Sequence, residues 1–128
     1  MMLLDTCVLL WLAADTAAIS KQTAELIRNT PEGLFVSAIS AFEVGQKAAV
    51  KKLSLPRPVD DWFAAMLQWH GLHEIPVSAV IAARATMLPA IHGDPFDRLL
   101  IATAQEHRLK LVTPDVTIGK YPNLDTLW

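Results

Sequence analysis

A single cysteine, Cys7, is all the chain has, so no internal disulfide framework is possible. Its place within an apolar run suits a small core residue in a reducing compartment. Basic residues are absent before Lys21. The apolar run at 7–14 therefore lacks the charged leader that a secretory signal requires. No later run approaches the roughly 20 apolar residues of a membrane-spanning helix, so a soluble, cytoplasmic protein with no membrane association is expected. An excess of positive charge is missing too. Eleven Lys and Arg stand against thirteen Asp and Glu, for a net charge of −2, so any polyanion would have to be met by a local basic patch. Repeats and low-complexity segments are absent.

The chain is 128 residues long, 52% hydrophobic and 19% charged. That length fits one domain, residues 1–128, with room for a substantial core. The apolar content is slightly above the average for a domain of this kind, which suits coverage of part of the surface by another chain.

Short apolar runs alternate with longer helical patterns, the arrangement of βαβ units and a parallel sheet. Strands are predicted near 1–5, 34–37, 74–77 and 109–113, with an edge strand near 122–126. Helices are predicted near 6–13, 20–30, 40–52, 59–70, 78–88 and 95–107, and they should cover both faces of the sheet. Ser40 with Glu43 reads as a capping box, and Asp94-Pro95 as a helix cap followed by proline at the first helical position. The segment Leu53-Ser54-Leu55-Pro56-Arg57-Pro58 reads as a rigid connector between helices. The fold class is α/β: a three-layer α/β/α domain with a central, mainly parallel sheet of four to five strands.

Carboxylates fall at telling places in this pattern. Asp5 and Asp115 lie just past predicted strands, and Glu43 and Asp97 in the expected first turns of helices that begin on the same sheet edge. In a doubly wound sheet all of these gather in one crevice. Each acid also has a plain structural explanation. Asp5 would cap the helix at Thr6, Glu43 complete the Ser40 box, Asp94 and Asp97 cap and complement a helix dipole, and Asp115 sit in a turn after Pro114. Caps are wanted at either edge of a sheet, however, whereas these acids map to one edge. Crowded carboxylates call for a cation. An all-oxygen set favours Mg²⁺ or Mn²⁺, while zinc would recruit histidine or cysteine, and the four histidines show no ligand spacing. Such a site suits phosphodiester hydrolysis.

The order Asp5, Glu43, Asp97, set in Met2-Leu3-Leu4-Asp5-Thr6, Val36-Ser37-Ala38-Ile39-Ser40-Ala41-Phe42-Glu43, His92 to Ala104, Leu111-Val112-Thr113-Pro114-Asp115 and Leu127-Trp128, resembles PIN-domain ribonucleases, specifically VapC-type toxins of toxin–antitoxin pairs. The block His92-Gly93-Asp94-Pro95-Phe96-Asp97-Arg98 is the most specific part. The resemblance implies a PIN fold and an Mg²⁺-dependent endoribonuclease, with Mn²⁺ as a plausible substitute, that hydrolyses RNA phosphodiesters with a metal-activated water. By the same resemblance Asp5, Glu43 and Asp97 hold the metal, and Asp115 takes the place of a fourth acid. Asp94 serves mainly as a cap or, like Asp115, ligates through water, and Thr6 and Thr113 supply hydroxyls behind the ligands. Arg98 either contacts phosphate or holds a carboxylate, the structural role being favoured. His92 matches a family histidine, with no role that the residues themselves supply. Implied partners are a second copy of the chain and an antitoxin of the Phd/YefM class.

Lys47 and Lys51, four apart on the expected helix, with Lys52 and Arg57, would either track RNA phosphates or form a solvated face. Trp11, Trp62, Trp69 and Trp128 fit core or interface better than base stacking. The rivals are a phosphoacceptor receiver domain and a PIN-like scaffold that binds RNA or protein without cleaving. A receiver wants paired acids after the first strand and a lysine after a late one, where this chain has Asp5-Thr6 and Asp115.

Overall fold

In the computed structural model, which describes residues 1–128, three apolar residues suffice for the first strand. β1 (Met2–Leu4) lies at the centre of a five-stranded sheet. Its neighbours are β2 (Leu34–Ser37) and β4 (Lys110–Val112), and the edges are β3 (His73–Ile75) and β5 (Thr126–Leu127). The order is β3-β2-β1-β4-β5 and every pairing is parallel. A receiver-type sheet runs 2-1-3-4-5, so the topology sets that rival aside.

The helices are α1 (Thr6–Ala14), α2 (Lys21–Arg28), α3 (Ala38–Ala49), α4 (Val59–His70), α5 (Ala79–Met87) and α6 (Pro95–His107). Strand alternation sends Met2, Leu4, Leu34, Val36 and Val112 to one face. There they meet Val8 and Leu9 of α1, Ile27 of α2, Val44 of α3, and Trp62, Phe63 and Met66 of α4. Leu3, Ile75 and Leu111 point the other way, onto Ile81 and Ala85 of α5 and the run Leu100-Ile101-Ala102 of α6. Both faces are therefore closed by helices, as a parallel sheet requires. No helix is long and apolar enough to cross a membrane.

One helix start and one strand differ from expectation: the edge strand β5 lies at Thr126–Leu127 rather than near 122–126. Helix α3 begins at Ala38 rather than near 40, because Ser37 ends β2 and itself caps the helix, its hydroxyl accepting from Ile39 N–H at 3.1 Å. Ser40 is buried inside the helix and its hydroxyl meets that of Thr6 at 2.9 Å. The Ser40–Glu43 capping box does not form, and Glu43 falls in the second turn. Helix α3 also ends at Ala49. Lys51 follows in a left-handed turn (φ 60°), so it does not share a helical face with Lys47.

Helices α4 and α6 end on left-handed residues, Gly71 (φ 60°) and Arg108 (φ 54°). Glycine takes this conformation freely, whereas a side chain costs roughly 1–2 kcal/mol there. Gly71→Ala should therefore lower unfolding stability by about 1 kcal/mol, and Arg108→Gly should raise it by a few tenths to about 1 kcal/mol. Urea denaturation midpoints of the two variants should move in opposite directions.

Candidate active site

The chain lays down β1, β2 and β3 toward one edge, then returns to the other flank of β1 for β4 and β5. The crevice of such a sheet opens beyond the carboxyl ends of β1 and β4, where the winding reverses. Asp5 stands directly after β1, its N–H donating to Val112 O at 3.0 Å. Thr113 stands directly after β4 and its hydroxyl donates to Asp5 Oδ2 at 2.7 Å. Both residues are buried, Asp5 at 7% exposure. Although Asp5 occupies the cap position of α1, its carboxylate makes no capping bond.

Glu43 and Asp97 approach from helices. The Glu43 side chain is 13% exposed, with Oε2 3.5 Å from Lys47 Nζ. Its Oε1 is fully enclosed and has no hydrogen-bond partner. An unsatisfied buried carboxylate oxygen is costly, so a donor or cation is wanted at that point. Asp97 lies in the first turn of α6, behind the Asp94 cap whose Oδ1 accepts from Phe96 N–H at 2.8 Å and from Asp97 N–H at 3.4 Å. The rings of Phe42 and Phe96, each one residue ahead of a site acid, pack with centroids 5.7 Å apart and hold α3 against α6. Burial pushes the Asp97 carboxyl up to about 7, helped by the negative charges of Asp5, Asp94 and Glu43 and opposed by His92. Of the predicted acids, Asp97 stands with Asp115 and His92 within the reach of one ion, whereas Asp5 and Glu43 fall outside that group.

No local pattern gives His92 a role, yet the structure puts it in the middle. Its Nε2 is 3.1 Å from Asp97 Oδ2 and 3.3 Å from Asp115 Oδ2. Its Nδ1 accepts from Asp94 N–H at 3.1 Å. The loop that carries it is pinned by Arg98, which donates to the carbonyls of Leu88 (2.9 Å), Pro89 (3.0 Å) and His92 (3.3 Å). Arg98 is thus a structural residue, tied to carbonyl oxygens rather than to a carboxylate. Asp115 lies beside the site. Partial burial would raise its carboxyl, but the Thr117 N–H, His92 and the Ile118 N–H outweigh that and hold it below the usual carboxylate range. One ligand atom from each of His92, Asp97 and Asp115 falls within 4.8 Å of the others, close enough for a metal ion. The sequence clue was His92 two residues before the Asp94 cap, a spacing that lets the ring accept the cap's own N–H.

Two further expectations fail on geometry. The Thr6 hydroxyl is taken by Ser40 and touches no acid. Lys47 pairs with Glu43, and Lys51 and Lys52 lie exposed beyond α3, so the three do not form one basic face. The Cys7 thiol is pushed up to about 12 by burial and by the adjacent Asp5 charge, which rules it out as a thiolate nucleophile. Trp62 is core, Trp11 packs on Trp128 at 5.6 Å, and Trp69 is 64% exposed with the Arg57 guanidinium 5.3 Å over its ring.

Comparison with known proteins places this geometry in context. The family model described as the PIN domain matches residues 2–124. The chain is 34% identical to Ribonuclease VapC22 of Mycobacterium tuberculosis, over 98% of this chain and 97% of that protein. A chain of a toxin–antitoxin complex from Klebsiella pneumoniae superposes with a TM-score of 0.68 at 22% identity, over 100% of this chain and 97% of that one. A chain of VapBC2 from Rickettsia felis, solved bound to a DNA fragment from its promoter, gives 0.73 at 18% identity, over 98% and 96%.

The raised Asp97 carboxyl has a pH consequence in the metal-free protein. Between the ordinary value of 3.8 and about 7 the folded state binds a proton that the unfolded state releases. Stability from this group is therefore present below the lower value and lost as pH rises through that window. Thermal melts in EDTA should show Asp97→Asn removing much of the decline between pH 4 and 7 that wild type shows over roughly that range. At pH 8 the variant should be at least as stable as wild type, and a variant markedly less stable there would show that Asp97 serves the fold rather than burdens it.

Proposed function

The chain belongs to the PIN-domain family, and from that premise we propose that it is a metal-dependent endoribonuclease, the toxin of a toxin–antitoxin pair. The observation that carries the reading is the enclosed, unpartnered Oε1 of Glu43, set among acids that repel one another. Asp5, Glu43 and Asp97 would hold the ion. Their donor set is all oxygen and fits Mg²⁺, with Mn²⁺ as a substitute. When bound, a divalent ion in an open carboxylate site makes water more acidic and neutralises charge developing on a phosphoryl oxygen.

The chain's own residues prepare that chemistry. Thr113 fixes one oxygen of Asp5, and Asp94 caps α6 so that Asp97 stands in its first turn. Lys47 offsets part of the Glu43 charge. Lys51 and Lys52 lie beyond α3, exposed and available to a phosphate backbone. Identity to a ribonuclease over nearly the whole chain supports RNA as substrate.

The likeness to chains solved within toxin–antitoxin complexes supports an antitoxin as partner. An apolar groove of about 450 Å³, lined in part by Leu10, Trp11, Leu55, Trp62, Met66 and Trp69, offers it a surface. A Phd/YefM-class antitoxin, a homodimer within the complex and a cytoplasmic location complete the proposal.

Asp5→Asn, Glu43→Gln and Asp97→Asn should each cut RNA cleavage at least a hundredfold, beyond the roughly 10- to 100-fold typical of losing a group behind the ligands. Circular dichroism should show the fold intact. Cleavage by wild type should stop in EDTA and return with Mn²⁺, and substantial cleavage by Asp97→Asn would overturn the mechanism.

A further inference from the structure

We propose that α3 carries a binding track for single-stranded RNA, in which a nucleobase stacks on the Phe42 ring and a neighbouring phosphate pairs with the Lys47 ammonium. The track rests on the reading of the crevice as a ribonuclease site and adds to it the form of the RNA and the line of the strand. Three aromatic side chains are exposed, Phe42, Trp69 and Trp128. Trp128 packs on Trp11 and Trp69 lies under the Arg57 guanidinium, whereas Phe42, 58% exposed, adjoins a site acid. Phe96 supports it, with centroids 5.7 Å apart and the rings tilted by 40°. The Phe42 ring is therefore fixed where α3 meets α6, the two helices that bring acids to the crevice, and much of it is left open. A base that lies on a fixed ring needs no particular sequence, but it has to be free of a duplex.

Lys47 supplies the charge. Among the eleven Lys and Arg of the chain it alone pairs with a crevice acid: Arg84 pairs with Glu106 at 3.2 Å, and Arg98 is bonded to carbonyl oxygens. The Lys47 ammonium stands 3.5 Å from Glu43 Oε2, with its side chain 43% exposed. A pair of this kind, four apart on one helix, is preferred only about twofold over its separated form. Once a cation shares the Glu43 charge, a phosphate can claim the ammonium. Around α3, Glu43 lies between Phe42 and Lys47, and the five residues from one to the other advance about 7.5 Å along the axis. A strand that reaches from ring to ammonium therefore passes Glu43, the acid whose Oε1 is enclosed and unpartnered.

The test is binding of the full chain to fluorescein-labelled oligo(U) and to a blunt RNA duplex, read by anisotropy with Ca²⁺ in place of Mg²⁺, the intact strand being checked on a gel. Phe42→Leu, which keeps an apolar contact for Phe96, should weaken oligo(U) binding about fivefold or more and leave duplex binding unchanged, and Phe42→Tyr should restore it. Lys47→Gln should weaken oligo(U) binding at low salt. It should also lower the slope of log Kd against log salt by about 0.7, the share of one phosphate on a single strand, while Lys47→Arg keeps the slope. Oligo(U) binding that survives Phe42→Leu, an equal loss on the duplex, or an unchanged salt slope in Lys47→Gln would each overturn the track. A Phe42→Leu variant that binds RNA normally but sediments as a smaller species than wild type would give the ring to a protein interface, and overturns it too. The ribonuclease reading is judged apart from the track. If wild type cuts RNA while the Phe42 and Lys47 effects are absent, only the track fails; if wild type neither binds nor cuts RNA, the ribonuclease reading fails and the track with it.

Discussion

One hydrogen bond closes the centre of this molecule, that from the Thr113 hydroxyl to Asp5, joining residues 108 apart in sequence. It forms only if β1 and β4 are neighbours in the observed parallel register, Leu4 opposite Val112. In this sheet the chain finishes β3 at one edge and crosses back past β1 to make that register. The bond therefore reports the return of the chain to β1 for β4. It also takes one oxygen of a nearly buried carboxylate and gives it a neutral donor instead of a cation, which leaves the Asp5 charge in place to act on Asp97.

The rest of the crevice is built around that carboxylate. Two helices begin on the same edge and each brings an acid. Asp94 is matched to its position, because the free N–H groups at a helix start welcome a carboxylate, and its Oδ1 is fully used by Phe96 and Asp97. Asp97, one turn on, has no such bond and is pushed up by burial and by its neighbours. Glu43 is placed where no cap requires it at all. Residues that meet the local needs of the fold and residues that strain it thus stand three positions apart, and the strained ones line the crevice.

Much of this was legible beforehand. Apolar runs such as Leu34-Phe35-Val36 and Leu111-Val112 are too short for helices and lie between longer periodic segments, so the positions of β1, β2, β3 and β4 follow from length, whereas that of the two-residue edge strand Thr126–Leu127 does not. Asp94-Pro95 marks the start of α6 because both residue types act through the local backbone. The start of α3 departs from the pattern because Ser37 ends a strand and caps a helix at once, and two serines compete for one role. Ser40 was then free to bond Thr6 across 34 positions, a contact no local pattern contains. The same holds for His92. Its meaning depends on Asp115, 23 residues away, and on Tyr121, 29 away, both brought there by the return of β4 to the sheet.

The two basic residues built into the site's own helices deepen the charge problem. Lys47 lies against Glu43, and Arg98 is committed to three carbonyl oxygens of the 88–92 loop. Neither is free to draw a phosphate into the crevice, and the chain as a whole is slightly acidic. An RNA phosphate approaching Asp5, Glu43 and Asp97 would therefore meet like charge until that charge is neutralised. In the proposed reading the cation must precede the substrate, so that binding of RNA near the acids and readiness for hydrolysis arise from the same event.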